Sequence, residues 1–234
     1  MALKRTYADH GDACRAAHGM ELISERWAYV VIRELFLGPK RFSELEQSAV
    51  GITPAVLSTR LRDLTARGIV ASRELDPPAR VRVYELTPWG RALEPVMHAL
   101  GRWAQASPTG PTTGGLTPDA AVLAMRTMVA GARLHPPVRL RLHLHDDRGG
   151  HPLAYDYAVV CDRDGLRVDR GDVADPDASV RIDSSAWAAA VFDGADLPDG
   201  AVSGDEQAVS RLLDVMRAEN RETTGDPGRE GQGR

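Results

Sequence analysis

Between residues 53 and 82 the sequence sets short polar and methyl-bearing side chains among arginines. Thr53, Ala55, Val56, Ser58, Thr59, Arg60 and Arg62 fall within ten positions, and Arg73, Arg80 and Arg82 follow in a segment that alternates charge with β-branched residues. Guanidinium groups bind phosphate oxygens, while hydroxyls and methyls touch base edges. The chemistry this set suits is contact with double-stranded DNA. A second cluster, His143, His145, Asp146, Asp147 and His151, contains metal-ligand types. His143 and His145 share a strand face with Arg139 and Arg141, which reads as solvated surface, and no third ligand stands in place. No metal is expected. Nucleophile-elbow, phosphate-loop and dinucleotide-binding glycine motifs are all missing from the sequence. No catalytic residues and no cofactor are expected, and the chain does not read as an enzyme.

The elements that would hold the arginine-rich set are legible. Helical periodicity runs over Cys14 to Ile23 and again from Glu25 to Leu37, where Gly38-Pro39 stops it. A short third helix starts at Phe42-Ser43-Glu44-Leu45-Glu46, with Ser43 as candidate N-cap. Gly51 breaks the chain, and Thr53-Pro54 reads as a cap followed by proline in the first turn. The helix that follows puts Leu57, Leu61 and Leu64 on one face and ends at Arg67-Gly68. Residues 69–75 and 80–86 read as a hairpin around Asp76-Pro77-Pro78-Ala79. Thr87-Pro88-Trp89 starts a last helix with Trp89, Leu93, Val96, Leu100 and Trp103 along one stripe. Two short helices, a turn, a helix and a charged hairpin make a winged helix-turn-helix, in which the helix started by Thr53-Pro54 is of a size to enter the major groove. The free N–H groups at the start of that helix favour a nearby phosphate.

Composition sets the frame. The 234 residues are 43% hydrophobic and 26% charged, ordinary for a folded protein rather than a disordered one. Residues 1–106 carry 15 Lys+Arg against 12 Asp+Glu, and residues 107–234 carry 14 against 21, so a mildly basic front precedes an acidic rear. The start of the chain has no secretory pattern and no apolar run approaches membrane length, so a cytoplasmic protein with no membrane partner is expected. Two cysteines are too few for a disulfide scaffold.

The front segment resembles the HxlR family of bacterial transcription regulators. The resemblance rests on Cys14, Arg26-Trp27, Ile32-Arg33-Glu34-Leu35, the run from Gly38 to Leu45, the run from Gly51 to Leu64, and Tyr84-Glu85-Leu86-Thr87-Pro88-Trp89-Gly90. It covers roughly residues 10 to 105. It implies a homodimer in which each recognition helix and wing meets one half-site and the first and last helices form the dimer contact. The Trp89–Trp103 stripe is the matching surface, which the residues alone read equally as intrachain core. The sequence departs from many family members at Ala55, where they carry a basic residue; a methyl group cannot donate to guanine but can touch a thymine methyl. Cys14 stands where some of these regulators place a cysteine that responds to electrophiles or oxidants. Arg15 and His18 lie close to it, as a reactive thiolate needs. The alternative is a small buried packing residue.

The sequence divides into a winged helix-turn-helix DNA-binding and dimerisation domain over 1–106, a Pro/Gly/Thr-rich linker over 107–115, a second domain over 116–220 and a disordered tail over 221–234. In the second domain Val138 to His145 alternates strictly between apolar and charged, and Leu153 to Cys161, Gly165 to Arg170 and Ala178 to Asp183 read as further strands. Helices are expected over Leu116–Met128, Ser184–Phe192 and Asp205–Arg217. The fold class is a mainly α winged helix-turn-helix followed by an α+β domain with an antiparallel sheet. The order of elements resembles the sterol carrier protein-like fold, which implies an apolar cavity for a small apolar ligand. Met125, Met128, Val129, Trp187 and Phe192 are candidates to line it; each singly also reads as closed core. The functional expectation is a DNA-binding transcriptional regulator that responds to a ligand through its rear domain. Two alternatives stand beside it: a regulator that senses through Cys14 with a purely structural rear domain, and a lipid-carrier-like protein with an accessory DNA-binding domain.

Overall fold

The structure is a computed structural model and describes residues 6–75, 80–110, 113–149 and 151–224. It divides into two compact units, Met1–Ala92 and Leu93–Arg234.

In the first unit, α1 (Arg15–Ile23), α2 (Ala28–Glu34), β1 (Lys40–Arg41), α3 (Phe42–Ser48), α4 (Pro54–Ala66), β2 (Val70–Glu74), β3 (Arg82–Leu86) and α5 (Pro88–Arg91) follow a single 3-10 turn at Ala8–His10. The three strands pair antiparallel in the order β1-β3-β2. The second helix is shorter than its apolar run suggests, because Trp27, with φ of 74°, holds the left-handed conformation before it. The cap of α3 is also not Ser43, which lies inside the helix. There the Glu44 carboxylate reaches back to accept the Arg41 N–H at 2.7 Å.

The core of this unit is aliphatic, with Val31, Ile32, Leu35, Leu45, Leu57, Leu61, Leu64, Ile69 and Val83 buried. It also encloses an ion pair absent from the expected core. Lys40 Nζ donates to Glu34 Oε2 at 2.5 Å and to Ser48 Oγ at 3.2 Å, with Lys40 and Glu34 both fully buried. Arg33 donates to the other Glu34 oxygen at 2.8 Å. Breaking such a pair strands a charge, so it ties α2, β1 and α3 into one arrangement.

After α5 the sequence stripe predicts one continuous helix, but the structure interrupts it at Ala92-Leu93. Pro95, in the first turn of α6 (Glu94–Gln105), has no N–H with which to continue the ladder from α5. Thus α6 groups with the second unit, although it falls within the 1–106 segment of the sequence division.

The second unit continues with α7 (Pro118–Met128), β4 (Val138–Asp146), β5 (Leu153–Cys161), β6 (Leu166–Arg170), β7 (Ala178–Asp183), α8 (Ser184–Ala188), which runs on into a π-turn at Ala189–Asp193, β8 (Val202–Gly204) and α9 (Glu206–Thr224). The five strands lie in the order β6-β5-β4-β7-β8. The sheet is mixed rather than antiparallel, since β4 and β7 run parallel. Residues 171–177 carry the chain from β6 to β7. The Arg141 guanidinium holds Asp172 at 2.5 and 2.8 Å, and the Arg139 N–H donates to Asp177 at 2.7 Å. On the face read as solvated, the Arg141 side chain and the Arg139 main chain therefore fasten this crossing segment, while the Arg139 side chain stays exposed. On the other face Leu140, Leu142 and Leu144 are fully buried. The last helix extends to Thr224, into the expected tail; residues 225–234 lie outside the described residues, as does the expected wing turn at 76–79.

Candidate nucleic-acid interface

Local chemistry explains why α4 is presented as it is. Gly51, with φ of 91°, allows the turn after α3, and Thr53 caps α4 by accepting the Val56 N–H at 3.4 Å. Leu57, Leu61 and Leu64 are 0–2% exposed and anchor one side. At the far end Gly68 takes φ of 72°, and Arg67 donates to the Glu21 and Leu22 carbonyls at 2.6 and 2.7 Å, fixing α4 against the end of α1.

This geometry sorts the expected contact residues. Thr53, Ala55, Val56, Ser58 and Arg62 are exposed, and Thr59 is half-buried with its hydroxyl donating to the Ala55 carbonyl at 3.0 Å. Arg62 has no ion-pair partner among the described residues and borders a crevice of about 460 Å³ with Phe42, Ser58, Thr65 and Tyr84. Arg60 is turned the other way. Its side chain is 14% exposed and faces Asp63 at 3.4 Å and Glu25 at 3.8 Å. On the wing, Arg73, Arg80 and Arg82 are exposed, with Arg73 held by Glu85 at 3.1 Å.

The wing is anchored at its base by a motif whose residues were visible but whose role was not. Thr87 Oγ1 donates to the Gly68 carbonyl at 2.7 Å and accepts the Gly90 N–H at 3.0 Å. A Cβ on Gly90 would stand 2.2 Å from the Ile69 carbonyl oxygen, so only glycine fits there.

Cys14 precedes α1 and is exposed rather than packed. The backbone N–H groups of Ala17 and then Ala16 hold its thiol below the ordinary range. It borders a hollow of about 210 Å³ with Tyr7, Asp12, Arg15 and His18. Cys161 is buried, and loss of solvation pushes its thiol up to about 11.

In the second unit the expected cavity residues separate. Met125, Val129 and Trp187 are fully buried, with the Trp187 indole N–H donating to Met125 Sδ at 3.3 Å, so they are closed core. Met128 and Phe192 border a groove of about 600 Å³ together with Gln105, Ala124, Ser185 and Asp193. One wall is the π-turn, a local widening of the helix often found at functional sites. Along α6, Met97 is buried, Glu94 pairs with Arg126 at 3.2 Å, and a Cβ on Gly101 would lie 3.3 Å from the Thr127 methyl. Its opposite side leaves Val96, Leu100 and Trp103 at 51, 37 and 77% exposure. In the first unit Trp89 is 54% exposed.

His143 Nδ1 lies 2.8 Å from the accepting Asp156 carboxylate, and His145 lies 3.7 Å from Asp147. Among the described residues no three His, Cys, Asp or Glu side chains converge as a metal set, and no helix is long and apolar enough to cross a membrane.

The family model described as HxlR-like helix-turn-helix matches residues 22–109. The uncharacterized HTH-type transcriptional regulator YvaP of Bacillus subtilis is 35% identical over 91 residues, 38% of this chain and 83% of that protein. The uncharacterized HTH-type transcriptional regulator sll1512 of Synechocystis is 38% identical over 95 residues, 39% of this chain and 70% of its own length. The reduced form of the transcriptional regulator YodB from B. subtilis is similar at 30% identity with a TM-score of 0.39, covering 43% of this chain and all of that one.

Proposed function

Since the chain belongs to the HxlR family of helix-turn-helix transcriptional regulators, we propose that it binds operator DNA in the cytoplasm as a homodimer, with α4 in the major groove and the β2–β3 wing beside it. One observation carries the reading: the leucine anchor of α4 is closed while Thr53, Ala55, Val56, Ser58 and Arg62 stand free on the other side. Phosphate contacts then come from Arg62, Arg73, Arg80 and Arg82, and base contacts from the first turns of α4. The exposed stripe Val96, Leu100 and Trp103 supports pairing through α6, because aromatic and aliphatic side chains exposed together favour burial against a partner. The relatives are transcriptional regulators, and the chain is read as one and not as an enzyme.

The groove beside the π-turn supports a ligand-responsive regulator. Its lining comes from Ala124 and Met128 of α7, from α8 with its π-turn and from residues 113–116, and it reaches Gln105 at the end of α6, the helix that bears the exposed stripe. A small, largely apolar molecule seated there changes DNA affinity only by favouring one pairing arrangement over another. A second reading, sensing through Cys14, is favoured by its exposure and its backbone-stabilised thiolate.

The test is fluorescence anisotropy of the full chain on its own upstream DNA against bulk duplex, with sedimentation of wild type and Leu100→Asp/Trp103→Asp. Preference for the upstream DNA and a dimer that the double substitution splits are expected. Equal affinity for both duplexes overturns the operator reading, and an unsplit dimer overturns pairing through α6.

A further inference from the structure

The exposed side chains of α4 also carry information about what the helix reads. Resting on the DNA-binding reading above, we infer that the operator is selected through thymine 5-methyl groups, touched by Ala55 and Val56, and not through guanine.

A helix of this kind meets base edges with its N-terminal residues. Here those residues are Ala55 and Val56, both exposed, with Val56 at 37%. Neither has a donor for guanine O6 or N7 or an amide for adenine, and the complementary base feature for a methyl group is the methyl of thymine. The hydroxyls nearby discriminate weakly. Thr59 already spends its proton on the Ala55 carbonyl, and Ser58 can pair with several bases. The first cation along the helix, Arg60, is withdrawn to Asp63 and Glu25. Arg62 lies further along, beside the crevice it borders with Phe42 and Tyr84, and the DNA-binding reading above assigns it a phosphate. Beside the hydroxyls of Thr53 and Ser58, what stands exposed at the start of α4 is an apolar face two residues wide.

The decisive experiment alters the DNA and leaves the protein intact. Duplexes bound by the full chain are selected from a random pool, and each half-site thymine is then replaced singly by deoxyuridine, which lacks only the methyl. Burying one such carbon is worth about a fourfold change in affinity. One or two positions per half-site are expected to weaken binding about fourfold, and the same change in both half-sites about fifteenfold. Val56→Ala and Ala55→Gly, at exposed positions, should each abolish the effect at one position. If a selected sequence binds equally well with deoxyuridine everywhere, or if one 7-deazaguanine replacement outweighs all the uridines, methyl readout is overturned while DNA binding stands. If no sequence is enriched, the DNA-binding reading fails and this inference falls with it.

Discussion

Arg60 and Arg62 are two residues apart and indistinguishable by type, yet the structure gives them opposite consequences for DNA binding. Each phosphate contact releases counterions, which contributes about 0.9 to the slope of log K against log salt. Removing Arg62 and Arg82 together should flatten that slope by about 1.8 per protomer and about 3.6 for a paired molecule. Between 50 and 200 mM salt the wild type would then lose about 150-fold more affinity than the double variant. Arg60→Ala should leave the slope unchanged, since its guanidinium already faces Asp63 and Glu25 at 14% exposure. Its effect should appear as a loss of about 1 kcal/mol in denaturant unfolding, from a partly buried pair and its packed stem. Anisotropy titrations at four salt concentrations measure all three proteins. A double variant with the wild-type slope, or an Arg60→Ala slope as flat as the double variant's, would refute this account of α4.

Gly90→Ala should destabilise the first unit by about 2 kcal/mol, because the new methyl meets the Ile69 carbonyl at 2.2 Å and the wing base must shift; an unchanged urea midpoint would contradict it. Of the two thiols, Cys14 should alkylate in the native protein with a pH midpoint below that of an ordinary thiol, its anion being held by backbone N–H groups, and Cys14→Ser should remove that reaction. Cys161 should react only on unfolding. Because the folded state holds the Cys161 proton up to about 11, its contribution to stability is present below the ordinary thiol range and declines as pH rises through that window, which denaturation at pH 8 and pH 10.5 compares.

The parts of the fold that were legible are those set by local chemistry. The Thr53-Pro54 start, the leucine spacing and the Arg67-Gly68 stop delimit α4 because caps and periodicity act within a few residues. The orientation of Arg60 was not legible. It depends on Glu25, thirty-five positions earlier, and on an azimuth beside the leucine row rather than opposite it. The enclosed Lys40–Glu34 pair was equally hidden, since both residue types are almost always at the surface. In the second unit the alternation of β4 marked a strand, but the parallel partner β7 is chosen by a long-range crossing that no local pattern records. Met125, Val129 and Trp187 share residue types with a cavity lining, and only packing shows them closed.

The twelve residues of α6 answer to two masters. Glu94, Met97 and Gly101 are committed to the bed formed by α7, while Val96, Leu100 and Trp103 face outward. A substitution on one flank that turns the helix about its axis displaces the other flank as well. The seat on α7 and the aim of the outward strip are therefore set together by one rigid rod.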